Sequence, residues 1–232
     1  MGNSDGENIR NSPLSLPKKM RPFQVGGQSG CAASGIGEAS ARLFVEHGAH
    51  VVITEIQDEL GLQVVASIGT DMDNFRHCNV TDEKQVEETV AYAVKKYGTL
   101  DIMFSSVGTL HLCSVLDMDM TVFDKTMTVN ARGSDLVVKH AARVMVAKKI
   151  RGSIICIASL EGILAGAASL AYVASKHAVV GIVKAAAREL GVTLSTKHVA
   201  QAALLLASDE SAYISGQNLA VDGGLSSILK LE

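Results

Sequence analysis

The stretch that decides the fold runs from residue 34 to residue 55 and reads SGIGEASARLFVEHGAHVVITE. A short glycine turn opens it, a helical segment closed by Gly48 follows, and residues 50–54 have the β-branched composition of a buried strand. Glycines let the backbone approach a phosphate group closely, and the first turn of a helix presents unpaired N–H groups. This stretch therefore predicts a turn, a helix and a strand arranged to bind a dinucleotide.

The remainder of the chain continues the same alternation. Strand-like segments lie at residues 74–78, 100–104, 153–157 and 218–221, and helical segments at 58–67, 81–97, 120–146, 171–190 and 197–207. Alternating strands and helices predict an α/β fold, with one doubly wound (Rossmann) parallel sheet and helices on both faces. Residues 1–22 are polar and predict a disordered tail, so residues 23–232 are expected to form one dinucleotide-binding and catalytic domain.

Composition excludes several classes of function. The 232 residues are 47 % apolar and carry a net charge of only −3, with no basic stripe, so a nucleic-acid partner is not expected. No apolar run appears long enough for a membrane span and no secretory signal is recognised, which predicts a cytoplasmic protein without a membrane partner. The four cysteines lie far apart and the seven histidines lack ligand spacing, which predicts free thiols and no metal site.

The glycine turn predicts a set of nucleotide-binding residues, Ser34, Gly35, Ile36 and Gly37. Glu55 ends the following strand eighteen residues after Gly37, where a carboxylate meets the adenosine ribose hydroxyls. Because a carboxylate there repels a 2′-phosphate, NAD is expected rather than NADP. The alternative is that Glu55 is a solvated acid at a strand end.

A second group of residues predicts proton transfer. Tyr172 and Lys176 stand four apart in a helical segment and share one face, Ser159 ends a strand, and Asn130 lies within a long helical segment. Hydride transfer needs a partner that exchanges a proton, a lysine ammonium stabilises a phenolate, and a serine hydroxyl can hold a substrate oxygen. The alternative is that Tyr172 is a core aromatic residue and Lys176 a solvated surface residue.

This ordered set resembles the short-chain dehydrogenase/reductase family over about residues 33 to 232. It is most similar to plant alcohol dehydrogenases of the secoisolariciresinol and xanthoxin dehydrogenase kind. The stretches that carry the resemblance are residues 34–38, 41–49, 56–61 and 139–143, together with YVASKHAV at 172–179 and GQNLAVDGG at 216–224.

The resemblance implies hydride transfer between NAD and a small hydrophobic secondary alcohol or ketone, in a homo-oligomer, a dimer or tetramer. It implies that Tyr172 is the general acid/base, that Lys176 assists it and binds the nicotinamide ribose, that Ser159 orients the substrate oxygen, and that Asn130 supports a proton-relay water. The implied cofactor-binding residues are completed by Asn79, Val80, Ser106, Gly108, Tyr172 and Lys176.

The chain departs from the family pattern in three regions that matter here. The first strand is irregular, because glycine and polar residues follow Phe23 to Val25. Residue 161, just past Ser159, is glutamate where the family has small or polar residues. After Gly191 a sixth strand and the substrate lid are missing, which leaves the sheet incomplete on its C-terminal side and predicts aggregation or obligate oligomerisation. The alternative function is a catalytically impaired truncated paralogue or splice form that acts as an oligomerising scaffold.

Overall fold

The structure is a computed structural model that describes residues 23–26, 35–166, 168–191, 196–215, 217 and 219–221. The described residues fall into two compact units, with the boundary between residues 183 and 184. The predicted tail, residues 1–22, lies outside the described residues, as do Ser34 and the first residue of the predicted last strand, Asn218. The prediction of one domain over residues 23–232 stays a prediction.

Strands and helices alternate along the chain as predicted. The strands are β1 Phe23–Gly26, β2 Val51–Glu55, β3 Phe75–His77, β4 Ile102–Ser105 and β5 Ser153–Cys156. The helices are α1 Gly35–Glu46, α2 Asp58–Ser67, α3 Glu83–Tyr97, α4 Met120–Met127, α5 Gly133–Ala147, α6 Leu170–Leu190 and α7 Thr196–Ala207. Short 3₁₀ turns lie at Met72–Asn74, Leu160–Gly162 and Asp209–Ser211, and a π turn joins α4 to α5 at Thr128–Arg132.

The five strands form one parallel sheet in the order β3-β2-β1-β4-β5. The irregular first strand is formed and lies at the centre, where Phe23 is in register with Val51 of β2 and with Ile102 of β4. The chain thus winds outward from β1 to β3 and then crosses to β4 on the other side. This is the doubly wound order, with a switch point between β1 and β4.

Two apolar clusters cover opposite faces of the sheet and confirm the predicted helix layers. One cluster joins α1 and α2 to the sheet through residues that include Ala41, Val65 and Ile53. The other joins α3 and α5 to the sheet through residues that include Val86, Leu136 and Met103. Each fully buried aliphatic side chain contributes roughly 1.5–3 kcal/mol, so the two layers together hold the central strands in place.

The sheet is small and open on the side of β5. This strand pairs with β4, and no strand lies on its other side within the described part of the chain. Ile155 is 38 % exposed there. The predicted strand at 218–221 is wrong for residues 219–221, which form no regular structure. With no other strand beside it, β5 leaves its outer backbone groups without a ladder partner among these residues.

Helix α6 is long and apolar enough to cross a membrane, contrary to the sequence analysis, which identified no such run. Its Lys176 is buried and donates hydrogen bonds to the carbonyls of Val107 and Ile157, which follow β4 and β5. These contacts hold the helix against the strand ends, as expected for a helix that covers a sheet. Length and composition alone are therefore weak evidence for a membrane span here.

Candidate active site

A pocket of about 720 Å³ lies where the carboxyl ends of β4 and β5 meet α1 and α6. In doubly wound sheets this edge is the place where ligands bind. Six residues singled out from the sequence line the pocket: Ile36, Ser106, Gly108, Ser159, Tyr172 and Lys176. Apolar groups of Leu110, Ile157 and Ala158 form much of the remaining wall.

Lys176 is fixed at the inner end of the pocket. It is 3 % exposed, and its Nζ donates to the carbonyl oxygens of Val107 at 3.1 Å and Ile157 at 3.0 Å. The same Nζ lies 5.7 Å from the centre of the Tyr172 ring. Because two backbone acceptors hold the ammonium group, its position is set by the ends of β4 and β5 rather than by the flexible lysine stem.

Tyr172 and Ser159 face the same pocket from two different elements. Tyr172 stands in the first turn of α6, one helical turn before Lys176. Ser159 caps the turn Leu160–Gly162, and its Oγ accepts a hydrogen bond from the Glu161 N–H at 3.2 Å. A hydroxyl has one donor and two acceptor positions. With an acceptor position used by Glu161, the Ser159 hydroxyl can donate its proton into the pocket.

Asn130 lies at the centre of the π turn and is completely buried. Its Oδ1 accepts from the Thr109 N–H at 2.7 Å, and its Nδ2 donates to the Thr109 carbonyl at 3.0 Å and to Ser175 Oγ at 2.9 Å. π turns inside helices are rare and occur frequently at functional sites. Asn130 thus joins the loop after β4 to helix α6, although it does not line the pocket.

Ser175 is a site residue that the sequence analysis missed. It is fully buried, accepts from Asn130 Nδ2 and donates from its Oγ to the Tyr172 carbonyl at 2.7 Å. Asn130 is therefore linked by hydrogen bonds to the turn of α6 that carries Tyr172. The available signal was a hydroxyl three residues after Tyr172, a spacing that brings it near the preceding turn of a helix.

The predicted phosphate turn is described from Gly35 onward. Gly35 has a φ of +56°, a left-handed conformation that favours glycine, and it begins α1 directly. Gly37 is buried, whereas Ile36 is exposed and lines the pocket. The first N–H groups of α1 lack partners within the helix, as in any helix, so this end of α1 fits an anionic group.

The remaining predicted cofactor residues follow β2 and β3 along the same sheet edge and do not line the pocket. Glu55 is fully buried, and its Oε1 accepts from the N–H of Ile56 at 2.9 Å. Asn79 Oδ1 accepts from the backbone N–H of Thr81 at 3.0 Å and also from its hydroxyl, and Val80 is buried. Their assignment to the cofactor stays a prediction.

Comparison with known proteins identifies the family to which the chain belongs. The family described as enoyl-(acyl carrier protein) reductase matches residues 30–193 and 191–226. Short-chain dehydrogenase reductase 3b of Arabidopsis thaliana is 44 % identical, over 84 % of this chain and 92 % of its own length. Momilactone A synthase of Oryza sativa subsp. japonica is 41 % identical, over 84 % of this chain and 87 % of its own length. Zerumbone synthase of Zingiber zerumbet is 38 % identical, over 84 % of this chain and 91 % of its own length.

The same comparisons bear on the missing segment. The family match divides at residues 191–193, the position at which the sequence analysis expects a sixth strand and a substrate lid to be missing. The alignment with the Arabidopsis protein spans 237 positions, whereas 84 % of 232 residues is about 195, so about forty positions have no counterpart in this chain. The resemblance is confirmed at the level of the family: the chain belongs to the short-chain dehydrogenase/reductase family.

Proposed function

We propose that this protein is an NAD-dependent oxidoreductase that transfers hydride between the cofactor and a small hydrophobic secondary alcohol or ketone. Membership of the family supports NAD(P)-dependent oxidoreductase activity in general. The observation that carries the finer proposal is the arrangement of Ser159, Tyr172 and the buried Lys176 around one pocket. We further propose a homo-oligomer in the cytoplasm.

Each residue has a distinct task in this proposal. Ser159 donates a hydrogen bond to the substrate oxygen, and Tyr172 exchanges the proton of that oxygen. The Lys176 ammonium stabilises negative charge on the phenol oxygen of Tyr172, and its two carbonyl partners keep it in place. Asn130 acts through Ser175 and Thr109, which it connects by hydrogen bonds. The apolar wall favours a substrate without charge near its reacting carbon.

The nicotinamide cofactor, when bound, accepts or supplies the hydride. The residues present fit such a group: the first turn of α1 suits the pyrophosphate, and Gly108 leaves the backbone near Lys176, where an added Cβ would come within 3.2 Å of Nζ. The carboxylate of Glu55 at the end of β2 supports NAD over NADP, because it would repel a 2′-phosphate. We expect weak affinity, since glycine and polar residues follow Phe23 to Val25 and depart from the family pattern.

Calorimetric titration of the purified chain with NAD and with NADP tests this proposal. We expect NAD to bind more tightly than NADP. The substitution Glu55→Gln should bring the dissociation constants of the two cofactors closer together. Glu59→Gln, which neutralises an exposed acid nearby, serves as the matched control and should leave the ratio of the two affinities unchanged. Tighter NADP binding would overturn the cofactor preference, and binding of neither cofactor would overturn the oxidoreductase proposal.

A second candidate is a scaffold that oligomerises without turnover. The open outer side of β5, with Ile155 partly exposed, favours it because an unpaired apolar strand edge promotes association. The two candidates differ in one measurable property: an oligomerising scaffold without cofactor binding would show no heat of binding with either nucleotide while forming defined oligomers.

A further inference from the structure

Glu161 makes contacts beside the pocket that the proposed chemistry does not use. Its backbone N–H donates to Ser159 Oγ at 3.2 Å, and its side-chain Oε2 accepts from the Gly166 N–H at 2.7 Å. Its carboxylate therefore closes the segment 161–166 into a loop, and its backbone connects that loop to the Ser159 hydroxyl. A hydrogen bond to an ionised acceptor is shorter and stronger than one between neutral groups.

Steric contacts at two glycines show how tightly this loop is seated. A Cβ added to Gly162 would lie 2.9 Å from the Lys176 carbonyl oxygen, so the 3₁₀ turn rests directly on α6. A Cβ added to Gly166 would lie 2.7 Å from Glu161 Oε1, so the carboxylate touches the backbone it binds. A side chain at Gly162 would displace the loop, and one at Gly166 would displace the Glu161 carboxylate from the backbone it binds.

Apolar burial contributes little to holding this loop. Ile163 and Leu164, the side chains at its centre, are both more than half exposed. Burial of such side chains is what normally fixes a connecting segment, at roughly 1.5–3 kcal/mol for each. The segment is held instead by the Glu161 carboxylate, by the contact of Gly162 with α6, and by backbone hydrogen bonds within its 3₁₀ turn.

We propose that Glu161 is a positioning residue that orients the Ser159 hydroxyl by fastening the segment 160–166. The carboxylate holds Gly166, the closed loop holds the Glu161 N–H in place, and this N–H occupies an acceptor position of Ser159 Oγ. The hydroxyl proton of Ser159 is then directed to the substrate oxygen. The inference rests on the proposed function only for its effect on turnover.

Amide hydrogen exchange measured by NMR tests the structural part without any need for activity. Glu161→Ala should accelerate exchange at Gly166 and at the N–H of residue 161 by about tenfold or more, because both lose a fixed partner. Glu161→Gln keeps an acceptor oxygen and should retain most of the protection at both sites. Glu87→Ala, which removes an exposed acid on α3, is the matched control.

A double-mutant cycle adds a test that does not depend on removing the carboxylate alone. Gly166→Ala should disturb the loop in the native protein because the new Cβ meets the Glu161 carboxylate. In the Glu161→Ala background the same substitution should add little, since the obstructing oxygen is gone. Independent, additive effects of the two substitutions would contradict the contact.

Turnover of cyclohexanol with NAD tests the link to Ser159. We expect Glu161→Ala to lower kcat about tenfold with unchanged NAD affinity, and Glu161→Gln to restore most of it. Faster exchange at Gly166 with unchanged exchange at residue 161 would show that the carboxylate holds the loop but not Ser159, and would overturn the inference. If the unmodified protein bound neither nucleotide, the proposed function would fail, whereas the exchange data would still decide the role of Glu161.

Discussion

The two sides of the pocket are built on different principles. On the inner side Lys176 lines the pocket, and behind it lie the buried polar residues Asn130 and Ser175, each held by hydrogen bonds from or to neighbouring elements. The outer side presents apolar side chains to solvent, among them Ile36 and Leu110. Buried polar groups must be paired, whereas exposed apolar groups need a cover to become stable.

This difference shows which part of the site is independent of the missing segment. Every inner-side residue belongs to the unit that ends at residue 183, before the position where the family match divides. The segment expected from the sequence to enclose the substrate falls after that position. The residues proposed to transfer the proton therefore lie in a different part of the chain from the segment expected to enclose the substrate, and the two proposals can be tested separately.

The largest expected effect comes from Tyr172→Phe on the inner side. Removal of the phenol oxygen should lower the dehydrogenase rate by roughly two to four orders of magnitude, because proton transfer by a positioned side chain contributes that much. Initial rates with NAD and cyclohexanol measure this. Turnover like that of the unmodified protein in Tyr172→Phe would rule out the mechanism, and NAD affinity should stay close to the original value.

The second largest effect is expected on the free energy of unfolding, when the hydrogen bonds between Asn130 and its neighbours are removed. Asn130→Ala removes three hydrogen bonds at a fully buried position, and we expect it to lower the free energy of unfolding by about 1–3 kcal/mol. Ser175→Ala removes one of these bonds together with its own bond to Tyr172 and should have a smaller effect. Urea denaturation followed by circular dichroism measures both. A larger loss in Ser175→Ala would show that the network is centred on α6 instead.

The open edge of the sheet offers a third comparison. Ile155→Lys places a charge on the exposed side of β5, and we expect it to reduce self-association, because charged residues block pairing between strand edges. Light scattering over a concentration series measures the effect. Val146→Lys, at an exposed position on α5, is the control. A stable monomer of the unmodified protein with strong hydrogen-exchange protection of residues 153–157 would contradict the proposed oligomer.

The smallest expected effect concerns Cys156, which lines the pocket. Burial raises the pKa of the Cys156 thiol from its ordinary value of 9.0 to about 11. Since the thiolate is the reactive form, its fraction at pH 8 should be about a hundredfold below that of an ordinary thiol. Iodoacetamide labelling followed by mass spectrometry should therefore be slow at pH 8 and increase as the pH approaches 11. Rapid labelling at pH 8 would contradict the raised pKa and show that the Cys156 thiol is accessible to solvent.

The accuracy of sequence-based prediction depended on how local each signal was. Tyr172 and Lys176 were predicted to share a face because helical geometry alone sets that relation. The role of Ser175 and the π turn at Asn130 were not predicted, since their partners stand 45 and 21 residues away in the chain. Likewise β1 was judged irregular from its composition, although pairing with β2 and β4 on both sides forms it.

The π turn at Thr128–Arg132 also limits how this segment of the chain can change in length. A π turn contains one residue more than the α-helical turn it replaces, and each helical residue rotates the following face by about 100°. Deletion of that extra residue would leave an ordinary α-helical turn with the flanking faces in phase, so the apolar stripe of α5, with Leu136 and Ala141, would still face the sheet. Deletion of a further residue would rotate that stripe away from the sheet, so the core tolerates the loss of one residue here and no more.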